Sequence, residues 1–176
     1  MKITNPGGHL DHLLNQTRAH HVQLSSMADV KANMLLTMSS IVVTLAAPQV
    51  LKSGSSWPLV VLIGSSLITI LLAAYAVMPR QPFKSRGSGE TTPATNPNFN
   101  LLFFGDFSAM PYVRFEEEME TMLNDDSKVY EAQVREIYSL GSFLAKTKYR
   151  YLRLAYVTFI TGLFASVLTL LFSGGR

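Results

Sequence analysis

Four cations and a tyrosine define the chemistry this sequence offers most openly. Lys146, Lys148, Arg150 and Arg153 alternate with Tyr149, and Tyr151 and Tyr156 follow. Cations neutralise phosphate oxygens and phenol rings stack on bases, so this collar is a candidate site for an anion, a nucleotide or a single strand. The same residues also serve as a plain topology signal, because cations and tyrosines mark the cytoplasmic edge of a membrane span. With several chains around one axis the collars would add up, and a polyanion would bridge subunits.

A second polar pair sits far away in sequence. Asp29 and Lys31 precede an apolar run, where an unpaired carboxylate is expensive. Either Asp29 stays wet at the interface, or it pairs with a collar cation such as Arg150 or Arg153 and fixes how two helices meet. Asp29 and Lys31 are therefore the candidate structural and gating residues. Ser39, Ser40 and Thr44, inside the apolar run, are candidates for a pore lining or a helix contact, since hydroxyls fit those roles better than a lipid face.

Catalytic patterns do not appear. The chain has no phosphate-binding Gly loop, GxSxG elbow or HExxH pair, and no cysteine for a thiol nucleophile, disulfide or thiolate metal site. His9 and His12 lie about one helical turn apart, while His20 and His21 lie more than two turns further, so one ion cannot gather them within a chain. Glu116, Glu117, Glu118 and Glu120 form a solvated face without a nucleophile or metal beside it. No enzyme, cofactor or metal is expected.

The elements that position these residues follow from hydropathy. The 176 residues are 48% hydrophobic and 15% charged, with a net charge of +3, which is the balance of a membrane protein. Residues 1–8 read as a disordered lead without a cleavable signal. Residues 9–33 read as a cytoplasmic helix with an apolar stripe through Leu10, Leu13, Leu14, Thr17, His21, Leu24 and Ala28. A first span follows over 34–50, ended by Pro48, and a second over 57–78, opened by Trp57. Residues 79–98 read as a flexible cytoplasmic linker, and 99–124 as an interfacial or docking segment with a short helix. A cytoplasmic helix over 127–150 continues without a break into the third span, 151–172. The predicted fold is an all-α membrane protein with three transmembrane helices, two of them continuous with long cytoplasmic helices that form a bundle. Cations beside the spans place the N-terminus and soluble helices in the cytoplasm and the C-terminus in the periplasm of a bacterial inner membrane.

Three stretches, ADVKAN at 28–33, NLLFFGDF at 100–107 and REIYSLGSFLAKTKYRYLRLAYVTFITGLF at 135–164, in this order around three spans, resemble the Pycsar-effector transmembrane domain family. The resemblance implies an antiphage membrane effector that oligomerises and depolarises or disrupts the inner membrane when a signal arrives. In Pycsar effectors that signal is a cyclic pyrimidine mononucleotide read by a separate domain. Here the membrane unit takes up the chain, so sensing falls to the cytoplasmic helices, to a ligand between subunits or to a partner. Similar effectors pair with nucleotidyltransferase-like enzymes, and in Hailong-type systems a DNA oligomer holds the effector shut. The expected partners are thus other copies of the chain, the lipid bilayer, and a nucleotide second messenger or single-stranded DNA oligomer. The alternative is a non-conducting membrane scaffold or regulator that recruits a cytoplasmic partner.

Overall fold

A computed structural model describes residue 3 and residues 7–53, 56–78, 99–108 and 110–173. Most of the expected lead over 1–8, and all of the expected linker over 79–98, lies outside the described residues. The elements are α1 (Gly8–Ser53), α2 (Trp57–Val77), α3 (Phe104–Phe107), α4 (Tyr112–Leu123), α5 (Asp126–Phe143), a π-helical segment (Leu144–Lys148) and α6 (Tyr149–Ser173), with no strand among the described residues. Three stretches, Gly8–Lys52, Trp57–Val77 and Asp126–Ser173, are helices long and apolar enough to cross a membrane. The protein is an all-α membrane protein. Its chain divides into two compact units, Met1–Val22 with Pro79–Ser142, and Gln23–Met78 with Phe143–Arg176.

The second unit is a three-helix bundle whose inside is made of small side chains. On α1 the buried line runs Ala28, Ala32, Leu35, Ser39 and Ala46; on α2 it runs Ser66, Thr69, Ala73 and Ala76; on α6 it runs Leu152, Ala155, Gly162 and Ser166. Steps of three, four and seven keep each line on one face of its helix. The large apolar chains point the other way, as Leu45, Leu71 and Phe164 show. Lipid tails are as apolar as leucine, so burying leucine gains little in a membrane, whereas small residues let backbones approach and gain packing. The tightest approach is at Gly162, where an added Cβ would overlap the Cβ and Oγ of Ser65. Nearby, Ser166 Oγ donates to the Pro58 carbonyl at 2.9 Å, a buried bond between α6 and α2. Ser166→Ala removes one interhelical bond of the kind worth about 0.6 kcal/mol in membrane proteins. A melting midpoint lowered by one to two degrees, about what that energy gives in a chain of this size, is the expected result in detergent.

Trp57 at the start of α2 and Tyr75 near its end are both exposed. At helical rise they stand about 27 Å apart, close to the hydrocarbon thickness of a bilayer. Interfacial aromatics thus bracket this span at both ends.

The structure corrects one expectation. Pro48 does not end the first helix, which runs through it to Ser53. Proline removes one helical hydrogen bond, but leaving the helix in an apolar medium would strand several backbone groups, so continuation costs less. The last long helix runs on from Asp126 to Ser173 as expected, and a π-helical turn at Leu144–Lys148 lies within it between α5 and α6. Leu144, Lys148 and Leu152 are all buried, at two successive steps of four. In a regular α-helix those eight residues overshoot two turns by roughly 80°. The wider π turn absorbs that angle and keeps all three on one inward line.

In the first unit, α4 is amphipathic and α5 is capped by Asp125, whose Oδ1 accepts the Ser127 amide at 3.0 Å. Phe99 and Leu101 are buried in a cluster with Met122, flanked by Phe115, Met119 and Val129, so the stretch before α3 docks on α4 and α5. Polar contacts fix its path. Asn100 N–H donates to Asp106 Oδ2 at 2.9 Å, Asn100 Oδ1 accepts from the Leu102 amide at 3.1 Å, and Arg135 Nη1 donates to the Phe99 carbonyl at 3.1 Å.

Candidate functional site

At the threshold of the membrane unit α1 and the π-helical segment carry one polar cluster. Lys148 Nζ lies 2.7 Å from Oδ1 and 2.8 Å from Oδ2 of Asp29, and donates to Ser25 Oγ at 2.7 Å and to the Ser25 carbonyl at 3.3 Å. Ser25 stands one helical turn before Asp29, so one face of α1 presents the carboxylate, hydroxyl and carbonyl together. Tyr149 adds a bond from its hydroxyl to the Leu24 carbonyl at 3.2 Å. The burial is unequal. The Lys148 side chain is 9% exposed, whereas that of Asp29 is 41% exposed. An ammonium so enclosed is stable only with charge and acceptors around it, and Asp29 with Ser25 provides both.

Asp29 therefore does pair with a collar cation, but the partner is Lys148 and not Arg150 or Arg153. Lys148 and Tyr149 turn inward, while Lys146, Arg150 and Arg153 face outward and exposed. The collar splits into an internal pair and an external triad at steps of four and three. Lys31 is exposed as well. An edge-to-face pair of Tyr75 and Tyr151, with centroids 4.5 Å apart and planes at 72°, packs α2 against α6 within the same unit.

Ser39, Ser40 and Thr44 do not act together. Ser39 is fully buried on the inward line of α1, with its hydroxyl unpartnered. Ser40 and Thr44 face outward and line a shallow groove with Leu36, Thr37, Ile41 and Leu45. Thr37 and Thr44 hydroxyls donate back to the carbonyls of Asn33 and Ser40 at 2.9 and 2.8 Å, which satisfies them wherever that face points.

In the first unit, Arg18 Nε and Glu136 Oε1 pair at 3.2 Å, and the His21 ring covers Gly141, where an added Cβ would lie 3.1 Å from it. The His21 contact joins the expected stripe of α1 to α5, and the Arg18 pair joins the two helices from beside that stripe. The Tyr130 hydroxyl hydrogen-bonds the Asp11 carboxylate, and this bond, with burial, pushes the phenol above its ordinary value. His9, His12 and His20 are exposed, and no group of three or more metal-capable side chains converges among the described residues.

The sequence reading missed Ser25 and the inward turn of Lys148. The signal was the spacing of Leu144, Lys148 and Leu152, which suits a π turn better than a regular helix. Comparison with known proteins finds no match among curated proteins and none among solved structures. The family model of the Pycsar effector protein domain matches residues 12–173, which takes in nearly the whole chain, with Ser25, Asp29, Lys148 and Tyr149 among them. The chain belongs to the Pycsar effector protein domain family.

Proposed function

We propose that this chain is an antiphage membrane effector whose oligomer opens or disrupts the bacterial inner membrane. Family membership supports the defence role. The observation that carries the membrane step is the outward face of α1 within the first span, where the exposed Thr37, Ser40 and Thr44 lie beside the exposed Ile41 and Leu45. A ring of copies would enclose this mixed face, giving water a hydroxylated wall and neighbouring chains an apolar one. Control belongs to the cytoplasmic helices, where a nucleotide or oligonucleotide made by a nucleotidyltransferase-like partner would bias the assembly. An orientation with those helices and the N-terminus inside and the C-terminus in the periplasm is supported by the excess of cations beside the spans on that side.

The test is expression in cells carrying a potential-sensitive dye, with and without phage challenge. Loss of potential with growth arrest is the expected outcome, and a stable potential under every signal would sink the reading. Ser40→Leu with Thr44→Leu discriminates the alternative. An opened ring changes its conductance when these hydroxyls become leucines, whereas a non-conducting scaffold that recruits a cytoplasmic partner keeps full activity.

A further inference from the structure

Lys146, Arg150 and Arg153 are exposed, and none has an ion pair or side-chain hydrogen bond among the described residues. Their steps of four and three put them on one face of the helix. The next positions on that face, again at steps of three and four, are Val157, Ile160, Phe164 and Leu168, and all four are exposed. One continuous stripe thus carries three cations at its first end and bare apolar chains along the rest. The α6 helix is a span, and its buried line through Leu152, Ala155, Gly162 and Ser166 lies on the opposite side. A face with that order matches a bilayer leaflet met edge-on, with phosphates outside and acyl chains within. An aqueous pocket for a nucleic acid would not run into exposed valine, isoleucine and phenylalanine.

From this continuity we infer that Lys146, Arg150 and Arg153 form a binding surface for the headgroups of anionic phospholipids, with the acyl chains lying along Val157 to Leu168. The inference rests on α6 spanning the membrane and not on the gated-pore reading. Lys148, turned inward onto Asp29, takes no part. Each cation near a charged leaflet is worth about fivefold in lipid preference, and the effect fades with salt because the charges stay exposed.

The test uses the full chain in phosphatidylcholine bilayers carrying spin-labelled phosphatidylglycerol or spin-labelled phosphatidylcholine. The fraction of motionally restricted label reports the lipid held at the protein surface. The wild type is expected to prefer the anionic label by well over tenfold at low salt and to lose most of that preference at high salt. Arg150→Gln and Arg153→Gln should each cut the preference about fivefold, Arg153→Lys should keep it, and Lys128→Gln, an exposed cation near the start of α5 and far along the helix from the span, should leave it unchanged. Because these are single exposed changes, the result does not depend on whether a variant without all three cations inserts. Equal restriction of both labels by the wild type, or a preference that survives Arg150→Gln and Arg153→Gln, overturns the inference. So does a single-stranded oligonucleotide held through these cations and not displaced by phosphatidylglycerol, an outcome that leaves the proposed function standing. A chain that prefers the anionic label yet never depolarises cells supports the lipid surface while removing the pore.

Discussion

Asp29→Asn is expected to harm the protein more than Lys148→Met, although both break the same ion pair. The asymmetry comes from exposure, since the Lys148 side chain is 9% exposed and that of Asp29 41%. Replacing the carboxylate by an amide leaves an ammonium almost sealed from water with no counter-charge, among neutral acceptors alone, the Ser25 hydroxyl and carbonyl and the new amide oxygen. Breaking a fully buried pair in this way costs about 3–5 kcal/mol. The partial exposure of Asp29 lowers the expected loss to about 2 kcal/mol. Methionine at 148 fills a similar volume without charge, and the carboxylate left behind reaches water, so a loss of about 1 kcal/mol or less is expected. The combination of both substitutions should recover most of what Asp29→Asn loses, because the stranded charge is gone. Thermal unfolding in detergent, followed through the single Trp57, reads all three. A Lys148→Met variant as unstable as Asp29→Asn, or a double variant worse than either, would refute the unequal burial as the cause.

This pair also shows how far a sequence reaches. Three spans, helices beyond them and a carboxylate at the edge of an apolar run are all encoded in hydropathy and charge placement, which depend on residue type and need no coordinates, whereas pairing of that carboxylate with the collar was one of two readings they allowed. The identity of the partner does not follow from residue type. Arg150, Arg153 and Lys148 are equivalent as cations, and only the π-helical turn at Leu144–Lys148 decides that Lys148 points inward. A π turn is a compromise between two burial lines, so it appears when the lines upstream and downstream are measured against each other, as with Leu144, Lys148 and Leu152. The fate of Pro48 was hidden for a related reason. A proline that would end a helix in water is carried through where water is scarce, so its meaning depends on the medium. Hydroxyls were likewise legible as unusual but not as inward or outward, and of the adjacent Ser39 and Ser40 the first is buried and the second exposed because successive helical positions turn by roughly 100°.

Gly162→Ala should be the most damaging single methyl group in the membrane unit. An added Cβ there overlaps Ser65 Cβ and Oγ, which belong to a short side chain that cannot swing clear as a lysine or methionine tip would. The Ser65 hydroxyl is also committed, donating to the Leu62 carbonyl at 3.0 Å. Relief then requires α2 and α6 to move apart, which strains the Ser166 to Pro58 bond and opens the small-residue interface. Overpacking of this kind costs about 1–3 kcal/mol, and the upper half of that range is expected because backbone must move. Gly64, one residue before Ser65, has open space around its would-be Cβ, so Gly64→Ala is the matched control and should be neutral or slightly stabilising through helix propensity. Removing the obstacle should reverse the damage, with Ser65→Gly in the Gly162→Ala background returning to within about 0.5 kcal/mol of Ser65→Gly alone. Melting in detergent gives the energies, and the depolarisation assay shows whether separation of α2 from α6 alters activity. If Gly162→Ala melts with the wild type, or Ser65→Gly fails to rescue it, the close approach is not what holds these two helices together.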